Sequence, residues 1–314
     1  MSNFIFSANI VLPIFFIIVL GYLLKRKGLL TKEFRSKAST LVFYYALPCS
    51  LFRSVAGSDM KSGFDLKFVL YVVGTTLAVF ILAWLITPLI IKERSQISAT
   101  VHGAYRGNFA YVGLAILTNL LGTTTLPCSV LVIAFVIPIY SILAIIVLSY
   151  YDPSGKKPSV KTQIIKIIKN PLIVAIVIGI PFSLLQIKMP SMIDKTLSYL
   201  AQLATPMALL LIGANLKPET FKKKPKGIIL GTLIKIVFAP AVFTVLAFIF
   251  GFRGEAIATI FVMHAVPSAT NSYIMTEQMG GDAELGAGLV MATSLLTVIT
   301  MTIGIFALKT FGLV

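Results

Sequence analysis

The chain consists largely of long apolar stretches separated by short basic segments, and this alternation limits what it can fold into. An α-helix rises 1.5 Å per residue, so about 20 apolar residues are needed to cross the hydrocarbon core of a bilayer. Of the 314 residues, 57% are hydrophobic and 12% are charged, whereas a soluble domain carries about 25% charged residues. The sequence therefore predicts an all-α integral protein of the cell (cytoplasmic) membrane, with membrane lipids around its helices.

Ten transmembrane helices are predicted from these stretches. The first stretch has no basic segment before it and is followed by Lys25-Arg26-Lys27, an order that favours a retained helix over a cleaved signal peptide. The ten predicted helices, numbered in chain order, lie at residues 8–25, 37–54, 67–91, 97–120, 125–151, 170–187, 195–214, 227–250, 255–277 and 284–308.

The basic residues test this number of helices, because Lys and Arg concentrate in cytoplasmic loops. Among the 27 Lys and Arg residues, Arg106 and Lys235 fall well inside predicted helices, and the rest lie in loops or near helix ends. With the N-terminus outside, the outer loops and the helix ends beside them hold only Arg53, Lys61, Lys67, Lys188, Lys195, Arg253 and Lys309, and the remaining loop residues lie inside. This asymmetry predicts that both termini lie outside. The basic residues form short separate clusters rather than one continuous surface, so no nucleic-acid partner is predicted.

The two halves of the chain resemble each other at an offset of about 158 residues. Lys37 and Pro48 of predicted helix 2 have the same spacing as Lys195 and Pro206 of predicted helix 7. Each half carries five helices, an odd number, so the second half must insert with the opposite orientation. The predicted organisation is a first repeat at 1–151, a basic cytoplasmic linker at 152–169 that ends in an interfacial helix, and an inverted second repeat at 170–314.

Predicted helices 4 and 9 each contain residues that break a helix near the middle of the membrane. Helix 4 contains Gly107-Asn108, and helix 9 contains Pro267-Ser268. Gly107 relaxes the backbone, and Pro267 removes a hydrogen-bond donor and clashes with the preceding turn. Each break would leave N–H groups at the start of a second half-helix, where the helix dipole favours an anion. The sequence thus predicts two broken crossover helices.

The residues around both breaks resemble the auxin efflux carrier family, which includes bacterial malate-permease-like and plant PIN-like transporters. Residues 107–114 (GNFAYVGL) resemble the Gly-Asn-x-x-Phe/Tyr-x-Gly-Leu-Pro stretch of that family, although Ala115 stands where its members commonly carry proline. Residues 266–273 (VPSATNSY), followed by Gly280-Gly281-Asp282, resemble its Ala-Pro-Ser-Ala-x-Asn-Ser segment and the Gly-Gly-Asp after it. The resemblance covers the whole chain and implies a scaffold domain, a crossover domain, alternating access and a homodimer.

Arg106 is the only arginine deep within a predicted helix, and a charge at that depth marks a candidate functional site. Its counterpart in the second repeat is Ala265, so Arg106 breaks the pseudo-symmetry, as a single substrate pocket requires. The sequence leaves open the alternative that Arg106 caps helix carbonyls or pairs with a distant acid. The candidate substrate-binding residues are Arg106, Gly107, Asn108, Pro267, Ser268 and Asn271.

Several further residues have expected roles beside the crossover. Pro48 and Pro206 are expected to shape predicted helices 2 and 7. His264 precedes Pro267 by three residues and is a candidate for proton coupling, with a neutral structural histidine as the alternative. Lys235 is expected to extend its side chain to the cytoplasmic interface. His102 is expected to be structural.

The acidic residues all map to loops or ends of predicted helices, which argues against a cation carried at the membrane centre. We therefore predict a secondary transporter for a small organic anion, a carboxylate such as malate, lactate or an auxin-like acid, with H⁺ or Na⁺ as the coupling ion. A cation-coupled or cation-exchanging transporter, a channel and a membrane sensor remain alternatives. The sequence contains no H-E-x-x-H, G-x-S-x-G or P-loop motif, so no enzymatic activity, metal or cofactor is predicted.

Overall fold

The structure is a computed structural model in which helices make up nearly all of the described chain. It contains no strand within the described residues, and one isolated bridge of β type joins two helix breaks. The described residues are 2–57, 64–122, 127–152, 165, 168–169, 171–214, 224–269, 272–273, 275–276 and 279–314. Asn271 and nearly all of the predicted linker with its interfacial helix lie outside these residues.

The helices of the first half follow the predicted apolar stretches. The second of them runs over 32–56 and has three parts, Lys32–Leu41, a π-helical turn at Val42–Ala46, and Leu47–Ala56. The helices are α1 (Ser2–Arg26), α2 (32–56), α3 (Leu66–Ile90), α4a (Arg94–Tyr105), α4b (Phe109–Leu121) and α5 (Pro127–Tyr150).

The second half has the corresponding helices. After α9, the described residues 272–273 and 275–276 are helical again, so the chain resumes a helix beyond the break. The helices are α6 (Pro171–Leu184), α7 (Ser191–Ala214), α8 (Pro225–Ile249), α9 (Gly254–Ala265) and α10 (Ala283–Thr310).

Four helices of the described chain, α3, α5, α8 and α10, are individually long and apolar enough to cross a membrane. Several others, such as α4b, α6 and α9, are apolar but shorter. The all-α membrane architecture expected from the sequence is therefore present. That ten helical segments cross the bilayer as two inverted repeats stays a prediction.

Helices from both halves of the chain are mixed in the packing. α1 lies along α7, and α6 lies along the last part of α2, which also contacts α7. α4a is surrounded by α3, α5, α8 and α10, and α9 packs against α8 and α10. The helices thus form one group of α1, α2, α6 and α7 and a second group around α4 and α9. Contacts of α1 with α10 and α4b connect the two groups.

The contact between α1 and α7 depends on two glycines. A Cβ atom on Gly213 would lie 1.7 Å from the carbonyl oxygen of Ile18, and one on Gly21 would lie 2.1 Å from that of Leu210. The backbones of the two helices therefore touch directly. Small residues allow this close approach between membrane helices, where dispersion and weak polar contacts replace the hydrophobic effect.

Within the described residues four helices contain a π-helical turn, and in three of them a proline follows it within two residues. Pro48 follows the turn Val42–Ala46 in α2, so this helix is locally distorted at the residue predicted to shape it. Proline lacks the N–H that a regular helix needs, and the wider turn accommodates the loss. Pro206, its predicted counterpart, lies inside a continuous α7 with an exposed side chain.

The Gly280-Gly281-Asp282 segment joins three helix ends. Asp282 accepts a hydrogen bond from the Leu285 backbone at 3.0 Å and so caps α10, and its carboxylate also pairs with Lys224 at the start of α8. Its backbone N–H donates to Ser95 in the first turn of α4a at 3.1 Å. Gly280 has a φ of 76°, which favours glycine in this tight turn. The motif therefore fixes the ends of the helices that surround the crossover.

Candidate functional site

The two helix breaks meet and pair with each other at the centre of the second helix group. Gly107 and Ser268 form an antiparallel bridge between the segment after α4a and the segment after α9. The Asn108 N–H donates to Pro267 O at 2.8 Å, and the Ala269 N–H donates to the carbonyl of Arg106 at 3.0 Å. The structure therefore brings together Arg106, Gly107, Asn108, Pro267 and Ser268, all of which are buried.

The break in α9 follows from Pro267. Proline has no N–H, so the carbonyl of Met263 loses the donor that a continuous helix would provide. The preceding residue, Val266, has φ −59° and ψ 149°, the extended conformation that a following proline favours. The N–H of Ser268 donates instead to Thr293 Oγ1 on α10, at 3.0 Å. The carbonyl of His264 consequently also lacks its helical donor.

Lys235 on α8 provides the missing donors. Its ammonium nitrogen lies 2.9 Å from His264 O and 3.3 Å from Met263 O. The next carbonyl, that of Ala265, accepts from Thr297 Oγ1 at 3.4 Å. Lys235 is only 1% exposed, so the expectation that its side chain reaches the membrane interface is wrong. The two carbonyls freed by the break hold the ammonium group inside the protein instead.

The break in α4 leaves room only for glycine at position 107. A Cβ atom there would lie 2.8 Å from Val266 Cγ2 and 2.9 Å from the ammonium nitrogen of Lys235. The hydroxyl of Ser268 donates to the carbonyl of Gly103 in α4a at 2.6 Å and is fully buried. In this conformation Ser268 therefore connects the two broken helices.

Arg106 lies directly before the bridge, and its side chain is buried. Its Nη1 donates to Met275 Sδ at 3.0 Å and lies 3.5 Å from His102 Nε2. Among the residues that the structure describes, Arg106 forms no ion pair with a carboxylate. A buried cation without a negative partner binds an incoming anion strongly, because the surroundings screen the charge poorly.

His102 holds Arg106 through a chain of hydrogen bonds with a defined direction. The Thr276 hydroxyl donates to Ser272 O at 2.7 Å, so its oxygen can accept from His102 Nδ1 at 3.2 Å. We assign the ring proton to Nδ1 from this network, which leaves Nε2 as the acceptor for Arg106. His102, expected to be structural, thus orients the candidate binding residue. Its position one helical turn before Arg106 was the only signal of this in the sequence.

His264, the candidate for proton coupling, contacts a different set of residues. Its Nε2 lies 3.0 Å from Thr75 Oγ1 on α3, and the Thr75 hydroxyl donates to Val72 O. His264 therefore donates from Nε2, and its ring stacks on Phe243 with centroids 5.1 Å apart. It lies in the last turn of α9, on the side of the crossover where Lys235 binds. Its role in proton coupling stays a prediction.

Asn108 begins the second half of helix 4 and is 5% exposed. Its backbone carbonyl accepts from the Val112 N–H at 3.0 Å, but its side chain does not cap the helix. Its amide forms no hydrogen bond with the described residues. Asn271, the other candidate amide, lies outside them. An amide at a half-helix N-terminus that forms no hydrogen bond with the described residues is suited to contact a carboxylate.

Comparison with known proteins places the chain among membrane transporters. A family described as "Membrane transport protein" matches residues 6–305. A protein of Rhizobium meliloti named "Putative malonate transporter" is 30% identical over 304 residues, which cover 94% of this chain and 93% of that protein.

More distant relatives are also transporters by name. The uncharacterized transporter YfdV of Escherichia coli is 24% identical over 303 residues, which cover 94% of this chain and 95% of that protein. An uncharacterized transporter of Methanocaldococcus jannaschii is 24% identical over 311 residues, or 96% of each chain. The similarity therefore extends through both halves of the chain and includes both helix breaks.

Proposed function

This chain belongs to the membrane transport protein family of auxin efflux carriers, and from that premise we propose that it is a secondary active transporter of a small carboxylate. The substrate binds at the crossover of helices 4 and 9, with its carboxylate near Arg106, Asn108 and the start of the second half of helix 9. Pro267 and Gly107 shape the breaks, and Asn271 adds a polar contact.

The observation that carries this proposal is the burial of Arg106 without a carboxylate partner among the described residues. Removing a charge from water costs several kcal/mol unless an opposite charge or hydrogen bonds compensate. Its side-chain contacts within the described part of the chain, a thioether sulfur and an imidazole nitrogen, are weak substitutes for an anion. The N–H groups at the start of each second half-helix add favourable dipoles. A substrate carboxylate would supply the negative charge that Arg106 and these dipoles favour.

Alternating access is supported by the burial of the crossover. Arg106 is 8% exposed, so an anion from solution cannot reach it without a movement of the surrounding helices. The two helix groups provide a basis for such a movement. We infer that the group around α4 and α9 moves against α1, α2, α6 and α7 and exposes the site to one side of the membrane at a time.

We further propose ten transmembrane segments in two inverted repeats with both termini outside. The distribution of Lys and Arg over the predicted loops supports this orientation. The resemblance to the family supports a homodimer. H⁺ or Na⁺ would supply the driving force, and His264 is the candidate residue if the ion is H⁺.

Malonate is the first substrate to test, because a relative that is 30% identical carries that substrate in its name. Purified protein is reconstituted into liposomes loaded with unlabelled malonate, and uptake of labelled malonate is followed. A carrier exchanges the two and shows stimulated uptake, whereas a channel only lets the anion equilibrate. Malate, lactate and an auxin-like aromatic acid are tested as competitors.

Arg106→Ala is expected to abolish malonate binding, and Arg26→Ala, at an exposed position of α1, is the matched control. Both variants should elute as folded protein. If the wild type binds no carboxylate of this panel, or if Arg106→Ala binds as well as Arg26→Ala does, the proposed site is wrong.

A further inference from the structure

Lys235 is a second buried cation at the crossover, and the proposed function above does not use it. Its ammonium nitrogen is directed at the bridge between the broken helices, since a Cβ atom on Gly107 would lie only 2.9 Å from it. An ammonium group has three N–H donors, and the carbonyls of Met263 and His264 accept two of them. Within the described residues, Lys235 forms no ion pair.

Arg106 and Lys235 lie on opposite faces of the crossover. Arg106 has φ −80° and ψ 105°, so the chain is extended here and successive side chains point to opposite sides. The Cβ direction of Gly107 leads to Lys235, and the Arg106 side chain therefore leaves on the other side, towards His102 and Met275. Two positive charges thus flank one pair of unwound segments.

Capping of the two carbonyls does not by itself require a charge. A neutral donor satisfies a helix-end carbonyl, and Thr297 does so for Ala265 at the same break. Lys235 adds a net charge in a place with poor screening, where the described residues supply no carboxylate to balance it. A site with two such cations attracts a doubly charged anion more strongly than a singly charged one.

We propose that Lys235 is a specificity-determining residue of the substrate site, which with Arg106 makes the carrier prefer dicarboxylates to monocarboxylates. This inference rests on the proposed carboxylate transport and names the substrate class. The Coulomb energy between Lys235 and a bound anion is proportional to the anion's charge. Loss of the Lys235 charge must therefore weaken dianion binding by about the square of the factor by which it weakens monoanion binding.

The test compares two ligands of similar shape and different charge, malonate and its monomethyl ester, at a pH where all free carboxyl groups are ionised. Binding is measured by calorimetry on the wild type, Lys235→Met and Lys235→Gln. Lys226→Met, an exposed lysine on the same helix, is the matched control. For both Lys235 variants we expect a loss of about tenfold or more for malonate and of about threefold for the monomethyl ester. The Lys226 variant should bind both ligands as the wild type does.

Equal losses for the two ligands would assign Lys235 a purely structural role at the break and would overturn the proposal. Unchanged binding of malonate in the Lys235 variants would also overturn it. If neither Lys235 variant folds, binding to the wild-type protein alone tests the proposal. Equal wild-type affinity for malonate and its monomethyl ester contradicts a site with two cations. A wild type that binds neither ligand instead refutes the proposed carboxylate transport.

Discussion

The ammonium group of Lys235 takes the place of the backbone donor that Pro267 lacks. The carbonyl of Met263, which residue 267 of a continuous helix would satisfy, accepts from Lys235 at 3.3 Å. The carbonyl of His264 accepts from the same group at 2.9 Å, since the N–H of Ser268 donates to α10. A side chain from α8 therefore stabilises the broken end of α9 and couples two neighbouring helices at the crossover.

This relationship predicts that substitutions at Lys235 and Pro267 are not additive. Lys235→Met leaves two buried carbonyls without donors and should lower the free energy of unfolding by about 2–6 kcal/mol, at about 1–3 kcal/mol for each carbonyl. In a Pro267→Ala background, residue 267 regains an N–H that can donate to Met263, so the loss should be clearly smaller. Thermal unfolding of the wild type, both single variants and the double variant in detergent measures the coupling. Strictly additive losses would show that Lys235 does not replace the donor that Pro267 removes.

A second prediction concerns Gly107, where the two breaks approach most closely. Gly107→Ala places a Cβ atom 2.8 Å from Val266 Cγ2, and 3.1 Å from the carbonyl of Met263. We expect the bridge to separate, with a loss of about 2 kcal/mol or more in stability and with loss of malonate exchange, because the β-branched side chain of Val266 is stiff and the Met263 carbonyl belongs to the backbone. Thermal unfolding and the liposome exchange assay measure the two effects.

Gly74→Ala is the control for this glycine. It lies on an exposed face of α3, and a Cβ atom there meets no atom within 4 Å. Alanine favours a helix over glycine by about 1 kcal/mol, so this variant should be at least as stable as the wild type. A Gly107→Ala protein that exchanges malonate as fast as Gly74→Ala would contradict the tight crossover.

The location of the breaks could be predicted from sequence because the causes are local. Pro267 removes a donor from its own helix, and Gly107 relaxes its own backbone, wherever the other helices lie. The role of Lys235 could not be predicted in this way, since the carbonyls that it binds follow it by 28 and 29 residues and become available only through a break in another helix. The Ser268 hydroxyl is a similar case, because its acceptor on Gly103 lies 165 residues away.

The third prediction concerns the contact between α1 and α7. In Gly213→Ala the new methyl group would lie 1.7 Å from the carbonyl oxygen of Ile18, so the helices must move apart. We expect a loss of about 2 kcal/mol or more in stability, and a similar loss for Gly21→Ala, whose methyl group meets Leu210. Thermal unfolding in detergent, with Gly74→Ala as the reference, measures both. Unchanged melting of either variant would show that the two backbones do not touch.

The last prediction concerns the two buried histidines, His102 and His264, which contact different parts of the crossover. His102→Ala removes the acceptor that holds Arg106 and should weaken malonate binding by about tenfold without unfolding the protein, because Arg106 then samples more orientations before it meets the anion. Thr276→Val removes the acceptor for His102 Nδ1 and should produce a smaller loss in the same direction.

His264→Gln serves as the contrast, because glutamine keeps a donor for Thr75 and leaves the Arg106 side of the crossover intact. It should bind malonate normally. If H⁺ is the coupling ion and His264 carries it, this variant should still exchange malonate between the two sides of a liposome but lose accumulation driven by a pH gradient. Calorimetry and the two transport assays separate these effects. Equal loss of malonate affinity in His102→Ala and His264→Gln would mean that neither histidine acts specifically through Arg106.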